Sequence, residues 1–497
     1  MNPQADLHRS AEIERDRFAE VVGRYEVNIK FSEAVSHHQA GRFNDAREGY
    51  LAVLTVDAHN PAALNNLALL SPPDAAERHL RQAVAVESRY VDALLNLAYL
   101  LLAKGLAGEA QSFLLQALHA ASDDCRVVTG LAQAYESPQE FESAMQLLED
   151  KGGGFSKKDD LYCRLAKCCE DLNKTDDALA YAEKALQLNP EHTEAHIYKG
   201  RQLLKKGDYV RGAEEIAWIW HGRIPESQIG LFVDASGQPI RQDGRTVVLS
   251  ADSGLGDTLQ FVRYAKPLKA LGARIVVECQ PELVRLIGRM SEVDRVCPIG
   301  NLDNNFDIRL PLHNLIGSFR STPDNIPGAV PYLTSDPDEA REFLERLQAF
   351  PGPRVGLCWS GNPGHPQDAK RSIFPALIAK LIEQLPAVSF LSLQKQASDK
   401  LERLVDWSAE FTDLARTAAL VENLDLVITV DTCMVHLAGA LARPVWLLNR
   451  FDSCWRWMED RNDSPWYPTL TLFRQRQAGQ WEEVIGRVSA ELSKLVQ

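Results

Sequence analysis

Over the first half of the chain, apolar positions recur at helical spacing in paired segments, and the pairs themselves repeat. Six units begin near Val27, Pro61, Val91, Cys125, Asp159 and Thr193, spaced by 34 residues except that the second is four shorter. A small residue recurs at the eighth position of each unit: Ala34, Ala68, Ala98, Ala132, Ala166 and Gly200. Another recurs where the second helix starts: Ala46, Ala76, Ala110, Ala144, Ala178 and Gly212. Large residues accompany them, such as Leu67, Leu97, Leu131 and Leu165 at position seven, and Tyr50, Leu80, Leu114 and Leu148 at position 24. Small residues let the two helices of a hairpin approach, while the larger ones fill the gap to the next hairpin. Gly41, Gly105 and Gly207 mark the turns.

The helical period stops near residue 222, and Pro225, Gly230, Gly237, Pro239 and Gly244 form a junction. Beyond it, short β-branched runs alternate with amphipathic stretches. Arg245–Ala251 reads as a strand, Asp252–Thr258 as a glycine-rich turn and Leu259–Leu271 as a helix. Arg274–Cys279 is the next strand, Pro281–Gly288 a helix and Phe306–Leu310 another strand. A second series follows: a helix over Asp336–Gln348, a strand over Arg354–Trp359, a helix over Pro375–Leu385 and a strand over Val388–Leu393. Helices are expected near Ser398–Val405 and Asp413–Glu422, then a strand over Leu426–Val430, a helix through Leu441 and a strand over Val445–Leu448. Trp481–Leu495 reads as a closing helix. Strand, helix, strand in this order gives right-handed parallel crossovers, hence two doubly wound α/β halves.

The predicted organisation is a helical lead-in over 1–26, helical repeats over 27–222 and a linker over 223–244. An α/β half over 245–335 and a second over 336–497 complete it. At 497 residues several domains are expected. The net charge of −14 argues against a nucleic-acid partner, though it leaves room for a local basic pocket. The nine cysteines show neither a C-x-x-C pair nor zinc spacing, so they are expected to pack, in a reducing cytoplasm. The charged N-terminal stretch does not read as a signal peptide, and the longest apolar run, near Leu94–Ala103, is too short for a membrane span.

Candidate chemistry gathers where strands end. In an open α/β sheet ligands bind outside the carboxyl ends of the strands, and a helix N-terminus there favours a phosphate. Asp431, Thr432 and Cys433 open the helix after the strand 426–430, and His436 lies in its first turns, either packed or donating to a phosphate. Gly254 and Gly256 let backbone amides approach a ligand in the turn before Asp257. Asp257 has two roles open to it: a cap worth roughly 1 kcal/mol, or a base that takes a proton from a hydroxyl. The turn is neither a Walker P-loop nor a full G-x-G-x-x-G. After the strand 354–359 a loop carries Trp359, Ser360, Gly361, His365, Lys370 and Arg371. The adjacent cations could neutralise a diphosphate or form a solvated pair beside Asp368. His365 reads as a loop histidine, with a base as the alternative. The aromatic segment Trp455–Pro468 reads as a packed domain edge, with nucleobase stacking as the alternative.

The repeat pattern resembles the tetratricopeptide repeat over about 27–222; the fifth unit, with Ala166, Ala178, Ala185 and Leu188-Asn189-Pro190, fits it best. This implies an all-α superhelix that binds peptide or protein. Leu255-Gly256-Asp257 and Val430-Asp431-Thr432-x-x-x-His436-Leu437, set in two doubly wound halves, resemble the heptosyltransferase family of GT-B glycosyltransferases over about 245–495. Together the chain resembles a bacterial tetratricopeptide glycosyltransferase. Its domain order is also similar to that of the protein O-linked N-acetylglucosamine transferases, whose catalytic motifs differ. The resemblance implies an inverting, metal-independent transfer to a hydroxyl acceptor. It implies no cofactor beyond a nucleotide-diphosphate sugar co-substrate, whose base and sugar stay open. Asp257 matches the family's proposed base, Lys370 or Arg371 its phosphate-binding cation, and Asp431, Thr432 and His436 its donor-binding element. Cys433 and Met434 depart from the small residues usual after Asp-Thr, and the loop 362–369 departs too. Two rivals follow: a non-catalytic scaffold with a degenerate GT-B region, or a saccharide or glycolipid transferase whose repeats form a homo-oligomer.

Overall fold

The computed structural model describes residues 25–122, 124–136, 140–151, 157–222, 231–327, 329–365, 367–395 and 401–495. The expected lead-in lies almost wholly outside them, as does the start of the linker. The chain divides into two compact units, Met1–Leu172 and Asn173–Gln497.

The first unit is built of helical hairpins: α1 (25–39) with α2 (Phe43–Val56), α3 (Pro61–Leu69) with α4 (Pro73–Val86), α5 (Val91–Ala103) with α6 (Ala107–Ala120) and α7 (Cys125–Glu136) with α8 (Phe141–Lys151), followed by α9 (Lys158–Asp171). The starts fall where the repeat predicts. The recurring small residues are buried at the helix crossings, Ala34, Ala46, Ala98 and Ala110 at 1 % exposure or less. Leu67, Leu97, Tyr50, Leu80 and Leu114 fill the spaces between hairpins. The four missing residues of the second unit come out of its first helix, since α3 has 9 residues where α5 has 13. Cys163, Cys168 and Cys169 are buried on α9 as packing residues.

The second unit starts with α10 (Thr175–Leu188), α11 (Thr193–Lys205) and α12 (Tyr209–Ile216). These last repeat helices therefore pack with the α/β region. The first sheet follows, with β1 (Thr246–Ser250), α13 (Leu255–Phe261), α14 (Ala265–Ala270), β2 (Arg274–Cys279), α15 (Val284–Ile287), β3 (Arg295–Pro298), β4 (Ile308–Pro311) and α16 (Leu315–Ser318). It is parallel throughout, in the order β3-β2-β1-β4. The second series comprises α17 (Pro337–Leu347), β5 (Arg354–Cys358), α18 (Asp368–Arg371), α19 (Pro375–Gln384), β6 (Ser389–Ser392), β7 (Leu404–Val405), α20 (Leu414–Val421), β8 (Leu426–Val430), α21 (Cys433–Ala440), β9 (Val445–Asn449), β10 (Leu470–Arg474) and α22 (Trp481–Lys494). Its six-stranded parallel sheet runs β10-β9-β8-β5-β6-β7.

Most predicted elements are present within a few residues of their expected bounds. The helix expected near Ser398–Val405 is a correction. Residues 396–400 lie outside the described ones, and Leu404 and Val405 pair with Phe390 and Leu391 as an edge strand. The edge strands β3 and β10 were not anticipated. β8 is buried at all five positions, as a central parallel strand must be. Among the described residues, no helix is long and apolar enough to cross a membrane.

Candidate active site

Strand order places the chemistry. In the first sheet, β2 and β4 flank β1, so the chain reverses its winding between β1 and β4. In the second, the reversal falls between β5 and β8. A crevice opens outside the carboxyl ends of strands at such a switch point. Both candidate clusters lie there.

At the first, the turn after β1 supplies Asp252 and, through α13, Asp257, while the chain leaving β4 supplies His313. Asp257 is the third residue of α13. Its Oδ2 accepts the Gly254 N–H at 2.9 Å, so it does cap the helix. Its Oδ1 pairs with the Arg456 guanidinium and lies 3.4 Å from His313 Nε2. His313 Nδ1 lies 3.0 Å from Asp252 Oδ1. Arg456 also donates from Nε to Gln260 Oε1 at 2.6 Å. The order Asp252, His313, Asp257, Arg456 alternates acid and base, with every side chain largely buried.

The alternation sets the protonation states. Burial favours a neutral Asp257, but the Arg456 charge and the His313 hydrogen bond outweigh it and hold the carboxyl well below its usual range. Burial likewise disfavours the charged form of His313. Hydrogen bonds to Asp252 and Asp257 override that, pushing the imidazole up to about 9. Near neutrality Asp257 is a carboxylate gripped by two cations.

At the second switch point, the residues that follow β5, β6, β8 and β9 converge. Gln394, after β6, holds the chain leaving β5: its Oε1 accepts the N–H groups of Trp359 and Ser360, each at 3.2 Å, and its Nε2 donates to Ser360 Oγ at 2.7 Å. Trp359 is buried. Arg371 reaches from α18 to the end of β8, donating to the Asp431 carbonyl at 2.8 Å, with Asp368 on its Nε at 3.0 Å. Lys370 lies 2.9 Å from Asp452, and Arg450 3.4 Å from the same carboxylate. Thr432 is the N-cap of α21 and accepts the Met434 N–H at 3.3 Å. Three cations thus collect at the rim of one parallel sheet, sharing two carboxylates, Asp368 and Asp452, that a diphosphate would have to displace.

Gly361 is required by this packing. A Cβ there would lie 2.3 Å from Asp368 Oδ1 and 2.4 Å from Arg371 Nη2. Gly361→Ala is therefore expected to push Arg371 off the Asp431 carbonyl and to destabilise the fold by about 1–3 kcal/mol, the usual cost of overpacking, as urea unfolding would read.

The two clusters meet where α13 touches α21. A Cβ on Gly256 would lie 2.8 Å from the His436 ring and 3.5 Å from Cys433 Cα, so only glycine lets these helix starts abut. His436 is buried, stacked on Trp457 at 5.6 Å, with Nδ1 3.0 Å from the Tyr467 hydroxyl. Burial and the Arg456 charge lower it to about 4, so it is neutral at physiological pH. Cys433 is held as a thiol by burial, its pKa raised to about 12. The aromatic segment packs inward: Trp455, Trp457, Trp466 and Tyr467 are all buried.

The structure thus brings Asp257, Gly254 and Gly256 into one cluster and Trp359, Ser360, Gly361, Lys370, Arg371, Asp431 and Thr432 into the other, with Cys433 and His436 between them. Sequence reading missed Asp252, His313, Gln394, Arg450, Asp452 and Arg456. His313, Gln394 and Arg450 each follow a strand end within a few residues, and that position was the available signal. Arg456 carries none, being 199 residues from its partner.

Tetratricopeptide repeat models match residues 73–124 and 160–192, and the model of glycosyltransferase family 9 (heptosyltransferase) matches residues 361–450. Protein FlbA of Caulobacter vibrioides is 26% identical over 506 residues, covering 92% of this chain and 83% of that protein. Among solved structures, a tetratricopeptide repeat protein from Parabacteroides merdae is 16% identical (38% of this chain, 75% of that one, TM-score 0.33). PilF of Pseudomonas aeruginosa is 17% identical (40% and 93%, TM-score 0.36). The chain joins tetratricopeptide repeats to a glycosyltransferase family 9 (heptosyltransferase) domain in its C-terminal region, a combination that supports a glycosyltransferase.

Proposed function

We propose that this protein transfers a sugar from a nucleotide-diphosphate donor to a hydroxyl of a protein acceptor held by the repeats, with inversion and without a metal. The observation that carries the reading is the abutment of α13 on α21. It sets Asp257 close to the helix that follows the switch point of the six-stranded sheet. Asp431, Thr432 and Cys433 open that helix, with Lys370, Arg371 and Arg450 beside it.

The reaction needs few parts. The acceptor oxygen bonds to the anomeric carbon as the bond from that carbon to the phosphate oxygen breaks. The diphosphate leaves with the electron pair, and the hydroxyl proton goes to Asp257. Lys370, Arg371 and Arg450 would offset the charge that grows on the leaving diphosphate. The grip of Arg456 and His313 keeps Asp257 ionised but costs it basicity. The hydroxyl proton passes to Asp257 as the acceptor oxygen bonds to the anomeric carbon, since that bond makes the proton acidic enough for a weak carboxylate base.

A polar row supports a protein acceptor. His38 contacts the Tyr50 hydroxyl at 3.2 Å, and Asn66 donates to it at 3.4 Å. Asn65 donates to Asn66 at 3.1 Å, and Asn96 to Asn65 at 2.8 Å. The row links the first helices of three successive repeats and offers amide groups that suit an extended peptide backbone. The test incubates the whole chain with UDP-, GDP-, ADP- and dTDP-sugars and lysate protein of the source cells, reading sugar addition by mass. Wild type is expected to modify protein from one donor class. Asn66→Ala with Asn96→Ala should raise the acceptor KM about tenfold and leave donor affinity unchanged. No transfer from any donor would refute the reading.

A further inference from the structure

The last repeat hairpin is part of the catalytic unit, and one side chain on it bears on the active site. Tyr209, the first residue of α12, is 1 % exposed. Its ring stacks on Trp466 with centroids 5.8 Å apart and planes 18° apart, and its hydroxyl accepts the Trp466 indole N–H at 3.1 Å. It meets Trp455 edge-on at 6.0 Å. Trp455 in turn lies under the Arg456 guanidinium at 4.5 Å, and Phe261, edge-on to Trp466 at 5.9 Å, lies 5.8 Å from the same group. Phe261 also packs on His313 at 4.9 Å. The aromatic plate thus has Tyr209 on one side and, on the other, both cations that grip Asp257. A further contact fixes the hairpin to the same segment: Lys205, at the end of α11, lies 3.4 Å from Glu459, which Thr175 of α10 also bonds.

We infer that Tyr209 is a positioning residue of the active site, which holds Arg456 against Asp257 through Trp455 and Trp466. The last repeat hairpin is then a working part of the transferase and not only an acceptor-binding element. Arg456 sits on a short 3₁₀ turn, Trp455–Trp457, beside Met458 in the left-handed backbone region at φ 52°. Such a turn has no ladder of its own, so the Arg456 side chain is fixed by its bonds to Gln260 and Asp257 and by its packing on Trp455 and Phe261. This inference rests on the transferase reading above.

The test is a double-mutant cycle in the full-length protein with Tyr209→Leu and Arg456→Lys, read in kcat, KM and their pH profiles. The groups facing Asp257 are Arg456, His313 with Asp252 behind it, and His436. If Tyr209 positions Arg456, Tyr209→Leu lowers kcat about tenfold with the donor KM unchanged. It also moves the acidic limb of the kcat profile to higher pH, as Arg456→Lys does, and the double variant is no worse than Arg456→Lys. Tyr209→Phe keeps the ring and the limb. Should Tyr209→Leu fail to fold, Trp466→Phe takes its place in the cycle. Additive losses, or a lower kcat with the acidic limb unmoved, overturn the inference. If wild type transfers no sugar, the functional reading fails. The inference is then judged on unfolding free energies of the same four proteins: non-additive changes uphold it, additive ones overturn it.

Discussion

Asp257→Asn is expected to lower turnover by roughly 10²- to 10⁴-fold, the usual loss when a general base is removed. Asparagine keeps the shape and an oxygen for the Gly254 N–H, so the cap of α13 survives. What it removes is the negative charge between Arg456 and His313. The substitution therefore carries a second signature, a loss of stability. Breaking one side of a buried ion pair costs about 3–5 kcal/mol; with Asp257 and Arg456 retaining 19 % and 11 % side-chain exposure, the lower end applies. Arg456→Ala should destabilise similarly, because it strands the carboxylate instead. Steady-state kinetics and urea unfolding on the same samples separate the two effects. Full turnover in Asp257→Asn would remove this residue as the base.

Stability should peak near pH 6.5, with His313 dominating the alkaline limb and His436 the acidic one, to which His79 and His365, both lowered by burial, also add. His313 is raised from 6.5 to about 9 in the folded state by Asp252 and Asp257, against burial and with Arg456 alongside. Its contribution is complete below pH 6.5 and is lost as pH rises through about 9. His436 is lowered from 6.5 to about 4 by burial and Arg456, with Arg263, Asp257 and Asp431 also near and Tyr467 on Nδ1. Its contribution is complete above pH 6.5 and is lost as pH falls through about 4. Each gap corresponds to ~3 kcal/mol. Asp257, with a folded value below its unfolded one, adds to the acid-side loss only below about pH 4. Chemical denaturation across pH 4–9.5 checks this. His313→Gln should flatten the alkaline limb and His436→Asn the acidic one. An alkaline limb unchanged in His313→Gln would show that the imidazole is not paired as the structure has it.

The repeats were legible because a 34-residue period fixes where small residues must fall, and Ala34, Ala46, Ala98 and Ala110 occupy helix crossings as that period requires. The central strands were legible from unbroken apolar runs such as Leu426–Val430. Among the edge strands β4 was read, and β3, β7 and β10 were not. Arg295–Pro298 and Leu404–Val405 are short and half-buried, and nothing in four or two residues separates them from loop. Of the site, the parts that lie at strand ends or helix caps could be read: Asp257, Asp431 and Thr432. Arg456 could not, because its role exists only once the aromatic segment folds back onto α13. That segment was read as packing or as a stacking platform. It packs, and in packing it delivers the cation on which Asp257 depends.

In the proposed reaction the carboxyl edge of the six-stranded sheet binds the diphosphate of a sugar donor. The most direct test of that binding is thermal unfolding of the full-length protein with UDP, GDP, ADP and dTDP, in wild type and in a variant carrying Lys370→Ala and Arg371→Ala. A ligand that binds only the folded state raises the melting temperature by mass action. One nucleoside diphosphate is expected to stabilise wild type, and the double variant to lose the shift. No shift with any of them, or a shift undiminished in the double variant, would contradict binding at that edge.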